Sequence, residues 1–107
     1  MIDPWGLDEL YALIATKDGW YPVMEYGKKA PIREVYLKEG DLWKIGTSKN
    51  TSTRYSKTYL RNVGQGVEMK VLHTGLSDKT VKSLERAKLK GYKAWKGYLP
   101  AGNKCCH

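Results

Sequence analysis

The chain has 107 residues and a formal net charge of +8 at pH 7, from 19 lysines and arginines against 11 acidic residues. This length fits one domain with a single core, and the basic residues are spread along the chain, which excludes a contiguous disordered basic tail. The charge predicts a polyanionic partner, either nucleic acid or an acidic protein, with a merely soluble basic surface as the alternative. No stretch is long and apolar enough for a membrane span, so no membrane partner is expected.

The first predicted element is a short amphipathic lead-in helix, because apolar side chains recur at helical spacing at Leu7, Leu10, Tyr11 and Ile14. Residues 17–19 read as a turn, and residues 20–26 as a strand in which Pro22 must face an edge or a bulge. Residues 27–31 form a basic loop. Residues 33–38 and 42–45 are two short strands, and Glu39-Gly40-Asp41 between them predicts that they pair as a hairpin.

A helix is predicted from about Ser52 to Arg61, with Tyr55 and Tyr59 one turn apart. It carries Arg54 in its first turn, where the helix dipole favours anionic side chains. Arg54 is therefore either solvated or placed to meet an anion.

Residues 62–66 form a loop and residues 67–73 a further strand. Ser77 is a plausible N-cap for a second helix that continues to about Lys90, where Gly91 breaks or kinks it. The order of elements predicts an α+β fold with a small antiparallel β-sheet flanked by helices.

The second helix carries a carboxylate on its apolar stripe. Glu85 lies among five apolar or aromatic residues that share that face: Val81, Leu84, Leu89, Tyr92 and Trp95. A carboxylate on a buried face must be neutralised, paired or bound to a metal. An ion pair with Lys88 is the structural alternative to a metal site.

The chain ends in Cys105, Cys106 and His107. Adjacent cysteines rarely bridge each other, so a reducing working environment is expected. A terminal metal site built from these residues is the less favoured interpretation, because no second cluster of ligands accompanies them.

An arginine, an inward glutamate and a basic aromatic surface suit phosphodiester cleavage, which needs a cation at the phosphate and a group that activates water. Glu85 can hold Mg²⁺ and Arg54 can clamp the phosphate. The base would be a tyrosine, a lysine, or a water on the metal that one of them assists, since the histidines lie in a strand and at the terminus.

Five elements of the sequence resemble the GIY-YIG nuclease domain over residues 19–104: Gly19-Trp20-Tyr21, Lys44-Ile45-Gly46, Arg54, Glu85 and Asn103. The resemblance implies a GIY-YIG-like fold. Two departures are a lysine at the head of the second motif and a longer gap between the motifs. Some restriction-enzyme-like members of the family are similar in using lysine there.

The resemblance also implies a role for each residue. Tyr21 would activate or orient the attacking water. Lys44 would lower the pKa of Tyr21 or contact the phosphate. Arg54 would neutralise the scissile phosphate, and Glu85 would be the single protein ligand of Mg²⁺ or Mn²⁺. Asn103 would brace the site, with plain turn chemistry as its alternative. Candidate substrate contacts are Lys49, Tyr55, Lys57, Tyr59 and His73, although one of the two tyrosines is expected in the core.

Asp3-Pro4-Trp5-Gly6-Leu7 resembles the signature that closes the shell-forming core of Rhs-type polymorphic toxins. This resemblance implies that residues 1–18 are the end of that core with the lead-in helix, and that residues 19–107 are the nuclease domain. It further implies an effector in interbacterial competition, secreted as part of a larger protein and acting in the target-cell cytoplasm.

The expected partners are nucleic acid, with DNA favoured over RNA, an acidic immunity protein, and the parent Rhs-type core with its secretion machinery. Two alternatives remain: a non-catalytic nucleic-acid-binding module of the same fold, and an interaction domain that docks an acidic protein.

Overall fold

The computed structural model describes residues 7–24, 30–31 and 33–103. Within them, five strands and three helices follow in the order β1 (Asp8–Ala15), β2 (Gly19–Val23), β3 (Arg33–Leu37), β4 (Leu42–Ser48), α1 (Thr51–Arg54), α2 (Lys57–Asn62), β5 (Val67–Leu76) and α3 (Asp78–Lys96). The strands form an antiparallel three-stranded sheet and an antiparallel pair, with helices packed against them. The predicted α+β class is therefore confirmed.

The predicted lead-in helix is wrong, because β1 is the middle strand of the larger sheet, in the order β4-β1-β5. Tyr11, Leu13 and Ala15 face the main core, whereas Leu10 packs on the other face with Val81 of α3. A strand that is buried on both faces carries a nearly continuous apolar run, and such a run cannot be distinguished from a helix by periodicity alone.

The smaller sheet pairs β2 with β3, so Pro22 lies in a strand with one described partner, as its missing N–H requires. The predicted pairing of residues 33–38 with residues 42–45 is wrong. The turn itself is present, since Asp41 N–H donates to the Lys38 carbonyl at 2.9 Å. The chain changes sheets at this turn, and β4 then pairs with β1.

The single helix predicted for residues 52–61 is divided into α1 and α2 at Tyr55, whose backbone is extended. Ser56 begins the second helix, and its hydroxyl accepts from Tyr59 N–H at 3.0 Å. The division places Arg54 at the end of α1 and not in a first turn. Its charge therefore complements the helix dipole instead of opposing it.

The N-cap predicted for the last helix is confirmed, because the Ser77 hydroxyl accepts from Thr80 N–H. Gly91 neither breaks nor ends this helix, which continues to Lys96 and closes at Gly97 with a positive φ of 85°. On the predicted stripe, Val81 is buried but Trp95 is 75% exposed. None of the helices in the described ranges is long and apolar enough to cross a membrane.

The segment after α3 returns along β4. Gly102 N–H donates to the Trp43 carbonyl at 2.7 Å, and the Ala101 carbonyl accepts from Met24 N–H at 2.8 Å. A Cβ on Gly102 would lie 2.6 Å from the Trp43 ring, so only glycine permits this approach. Several predicted features lie outside the described residues: most of the Asp3–Leu7 signature, Tyr26, most of the basic loop, and Cys105, Cys106 and His107.

Candidate active site

A cavity of about 420 Å³ lies between the three-stranded sheet, the end of α1 and α3. Its wall includes four of the predicted site residues, namely Lys44, Arg54, Glu85 and Asn103. They come from β4, α1, α3 and the C-terminal segment, so residues distant in sequence converge at one place. Tyr11, Gly46, Leu89 and Leu99 also line this cavity.

Tyr21, for which a catalytic role was predicted, does not line this cavity. Its side chain is fully buried in the main core. Its hydroxyl donates to two backbone acceptors, the Lys17 carbonyl at 2.8 Å and the Gly66 carbonyl at 2.9 Å. The second of these hydrogen bonds connects β2 to the loop that precedes β5.

Tyr11 is a tyrosine that lines this cavity. It lies opposite Gly46 in the β1–β4 ladder, so its side chain is positioned by the same strand that carries Lys44. A Cβ at position 46 would lie 2.3 Å from the Tyr11 hydroxyl oxygen, and the absence of a side chain there makes room for this hydroxyl. The sequence analysis missed Tyr11 because it assigned β1 to a helix. The available signal was the position of Tyr11, seven residues before the turn at Asp18-Gly19.

Two tyrosines and a lysine form a connected chain of polar atoms. The hydroxyls of Tyr11 and Tyr55 lie 2.8 Å apart, and Lys44 Nζ donates to the Tyr55 hydroxyl at 2.9 Å. The rings of the two tyrosines meet edge to face, with centroids 5.8 Å apart. The arrangement couples the proton on either phenol to the charge on Lys44.

The two phenols differ in acidity. Burial raises the pKa of Tyr11, and its hydrogen bond to Tyr55 raises it further. Burial also raises the pKa of Tyr55, but hydrogen bonds from Lys44 and Tyr11 and the charges of Lys44 and Arg54 outweigh it. The pKa of Tyr55 is therefore lowered from 10.0, so this phenol loses its proton more readily than Tyr11 does.

Arg54 follows directly before Tyr55, and its guanidinium carbon lies 4.7 Å from the Tyr55 ring centroid. This cation–π contact directs the guanidinium toward the cavity that Lys44 also lines. The start of α1 is fixed by β1, since Glu9 accepts from Thr51 N–H at 3.1 Å. The central strand therefore positions Tyr11 directly and Arg54 through α1.

Glu85 is half-buried on the face of α3 that lines the cavity. Burial raises the pKa of its carboxyl group, and the positive charges of Lys44, Lys82 and Arg86 act in the opposite direction. The predicted alternative, an ion pair with Lys88, is not observed. The ion pairs among the described residues are Lys49–Asp8 and Lys82–Asp78, and neither includes Glu85.

Asn103 binds the backbone of β4 with its side chain. Its Oδ1 accepts from Ile45 N–H at 3.0 Å, and its Nδ2 donates to the Ile45 carbonyl at 2.8 Å. Asn103 N–H also closes a turn on the Pro100 carbonyl at 3.0 Å. Asn103 therefore makes the expected turn and also positions the strand segment that carries Lys44.

The predicted substrate contacts are only partly brought together. Lys49 Nζ pairs with buried Asp8 at 3.0 Å, Lys57 lies beside a separate depression near Arg61, and His73 is exposed on β5. Tyr55 is the tyrosine that packs against the core, and Tyr59 is 42% exposed. These two rings stack and border a second cavity of about 390 Å³.

A family model described as "URI fold toxin 2" matches residues 24–97. The chain belongs to this family of URI-fold toxins. No curated protein and no solved structure matches the chain. In this URI-fold toxin domain, the matched range includes Lys44, Arg54 and Glu85, while Tyr11 precedes it and Asn103 follows it.

The acidic side chain on the cavity wall suits a divalent cation that takes few ligands from the protein. The described residues contain no cluster of three or more His, Cys, Asp and Glu side chains. The amide oxygen of Asn103 is already bonded to Ile45, which leaves Glu85 as the carboxylate on the cavity wall. One carboxylate with water completing the shell suits Mg²⁺ or Mn²⁺, which retain several waters in proteins.

Proposed function

We propose that this toxin domain is a metal-dependent endonuclease of the GIY-YIG type that hydrolyses phosphodiester bonds in a target cell. The observation that carries the proposal is the convergence of Lys44, Arg54 and Glu85 on one cavity beside a pair of hydrogen-bonded tyrosines. Two cations suit a phosphate, a carboxylate with no ion pair to any described residue suits a divalent ion, and a phenol of lowered pKa suits proton removal from water.

In the proposed mechanism, Arg54 and Lys44 bind the scissile phosphate and offset its charge. The Tyr11 hydroxyl accepts a proton from the attacking water and passes its own proton to the ionised Tyr55 across their 2.8 Å contact. Lys44 favours the ionised form of Tyr55 by donating to its oxygen. Asn103 keeps the β4 segment in place through Ile45.

Glu85 would hold the divalent ion, Mg²⁺ or Mn²⁺. When bound, such an ion stabilises negative charge that develops on phosphate oxygens. The partly buried position of Glu85 among cationic side chains supports this assignment, because an unpaired carboxylate gains most from a cation where water is scarce.

The proposal extends to biological context. We infer an antibacterial effector released from a larger Rhs-type polymorphic toxin, with DNA favoured as the substrate over RNA. The producing cell would be protected by an immunity protein, and the net charge of +8 favours an acidic one. The toxin family supports an effector that acts in the cytoplasm of a rival cell.

The decisive experiment incubates the purified domain with supercoiled plasmid and, separately, with total tRNA, in Mg²⁺ or in EDTA. Glu85→Ala should lose cleavage of the preferred substrate, whereas Glu34→Ala should cleave like wild type because Glu34 lies on β3, away from the cavity. Cleavage that persists in EDTA or in folded Glu85→Ala would refute the metal role. Binding without any cleavage would favour a non-catalytic module.

A further inference from the structure

The second cavity, of about 390 Å³, shares part of its wall with the candidate active site. Lys44 and Arg54 line both cavities. A phosphate held by these two cations would therefore lie next to both cavities. The group joined to that phosphate in a nucleic acid would reach into the second cavity.

The second cavity has aromatic walls. Tyr55 and Tyr59 stack nearly parallel, with centroids 5.0 Å apart and an angle of 14° between their planes. Tyr59 remains 42% exposed, so its ring has surface available to a further stacked group. Trp43 adds a rigid wall, since its indole N–H donates to the Pro22 carbonyl at 2.9 Å and its polar atom is already satisfied.

Among the residues that the structure describes, the polar groups of this cavity are basic or neutral. The described lining comprises Met24, Trp43, Lys44, Arg54, Tyr55, Ser56, Tyr59 and Gly102, and none of these eight is acidic. A flat aromatic group attached to an anion matches such a wall, because the ring can stack while Lys44 and Arg54 contact the anion. Its volume lies within the range common for sites that bind small ligands.

We infer that the second cavity binds one unpaired nucleobase adjacent to the scissile phosphate, with Tyr59 as its stacking platform. This inference rests on the proposed function and names its substrate class, a single-stranded or locally unpaired nucleic acid. A base within a duplex is stacked and paired, and its entry into a side cavity requires that it first leave the stack. The domain therefore prefers unpaired strands of DNA or RNA over intact duplex.

The test measures binding, so that it is independent of cleavage. Single-stranded DNA and RNA oligonucleotides carrying the fluorescent base 2-aminopurine are titrated with the Glu85→Gln protein, and the same DNA is titrated as a duplex. Stacking quenches this fluorophore. Tyr59→Ala in the same background should weaken single-stranded binding roughly 10- to 100-fold and remove the quenching, with a much smaller effect on the duplex.

Two controls separate stacking from other effects. Tyr59→Phe keeps the ring and should keep the quenching, which a role for the Tyr59 hydroxyl would not allow. Tyr36→Ala removes another exposed tyrosine, on β3 outside both cavities, and should bind like the parent protein. The DNA and RNA titrations identify which strand chemistry the domain prefers.

The inference is overturned if Tyr59→Ala retains the quenching, or if it weakens duplex and single-stranded binding equally. The second result would mean that Tyr59 only supports Tyr55. Because binding is the readout, a wild-type protein that stacks the base but cleaves nothing would leave this inference standing while the proposed nuclease activity fails.

Discussion

The hydroxyls of Tyr11 and Tyr55 lie 2.8 Å apart, although 44 residues separate them in the chain. Tyr11 is held in the middle strand of the sheet, and Tyr55 follows a four-residue helix that the same strand fixes through Glu9. Their contact therefore depends on the register of β1 against the elements around it. It also determines which tyrosine a nuclease mechanism can use.

Cleavage by the wild-type domain should rise with pH as Tyr55 loses its proton, with a midpoint below the 10.0 of an ordinary tyrosine. Lys44 lowers the pKa of Tyr55, because its positive charge and hydrogen bond favour the phenolate. In Lys44→Met the midpoint should therefore move to higher pH. Single-turnover cleavage rates, measured from neutral to alkaline pH, test this expectation.

Lys44→Arg is the matched variant, since arginine keeps the charge but stays protonated throughout the pH range. It should keep a midpoint closer to that of wild type. If Lys44→Met and wild type had the same midpoint, Tyr55 would not be the titrating acceptor. If both Lys44→Met and Lys44→Arg lost the pH dependence, lysine itself would be the base.

Tyr11→Phe should mainly affect the cleavage rate, whereas Tyr21→Phe should mainly affect stability. Tyr11→Phe removes a proposed proton carrier and should lower the cleavage rate about 100-fold or more. Tyr21→Phe removes a buried hydroxyl and should lower the free energy of unfolding by about 1 kcal/mol, because the Gly66 carbonyl still accepts from Thr16. Urea denaturation and cleavage assays measure the two effects, and a severe catalytic loss in stably folded Tyr21→Phe would restore the sequence-based assignment.

Gly46→Ala should damage both stability and activity. The new Cβ would lie 2.3 Å from the Tyr11 hydroxyl oxygen, and the buried Tyr11 ring has little freedom to move. We expect the unfolding free energy to fall by about 1–3 kcal/mol. When folded Gly46→Ala and folded Tyr11→Phe are compared, the cleavage rate should be lower in Gly46→Ala. Thermal unfolding and plasmid cleavage are the measurements.

Gly91→Ala is the control for this substitution. Gly91 lies inside α3, and no atom outside its own helical surroundings lies within 4 Å of the place that an alanine methyl group would take. Alanine should therefore stabilise the helix by about 0.5–1 kcal/mol without loss of activity. A neutral Gly46→Ala would show that Tyr11 can shift without consequence.

Arg54→Ala should abolish toxicity while the fold persists, because Arg54 is exposed and its loss removes the proposed phosphate contact and one surface cation–π contact with Tyr55. Arg61→Ala offers a closely matched comparison, since Arg61 also lies in the last turn of a short helix. Growth of cells expressing each variant, together with circular dichroism of the purified proteins, distinguishes them. Equal toxicity of both variants would remove Arg54 from the mechanism.

Asn103→Ala should cost about 1–2 kcal/mol of unfolding free energy, because it removes both hydrogen bonds to Ile45. Cleavage should also fall, since Lys44 adjoins Ile45 on β4. Asn62→Ala, at the exposed end of α2, should change neither quantity. Unchanged stability of Asn103→Ala would support the simple turn as the whole role of this residue.

Four of the five predicted site residues, Lys44, Arg54, Glu85 and Asn103, line one cavity, and their catalytic roles stay predictions. Their proximity was predictable because they follow the order and spacing of the family motifs. That Tyr11 lines this cavity and Tyr21 does not was not predictable from the motif alone. Gly19-Trp20-Tyr21 matches a short motif, but the Tyr21 side chain points into the core. The direction of a side chain on a strand depends on which strands pair.

The fold errors have the same origin in long-range pairing. β1 is buried on both faces, by α3 on one and by the main core on the other, so its apolar residues do not alternate with polar ones. Such a run resembles a helix, and nothing in the local sequence indicates burial on both faces. The strands on either side of the turn at Gly40 have hairpin chemistry, yet each pairs with a strand elsewhere in the chain. Local propensity therefore placed the elements better than it placed their partners.

The position of β1 in the middle of the sheet also determines how late in translation the sheet can be completed. β1 emerges from the ribosome before any other described strand, but its partners β4 and β5 follow tens of residues later. β1 can pair with β4 first, but its other edge has no partner until β5 has been translated, and α3 and Asn103 come later still. A nascent chain consequently carries no assembled cavity until β5, α3 and Asn103 have all been made.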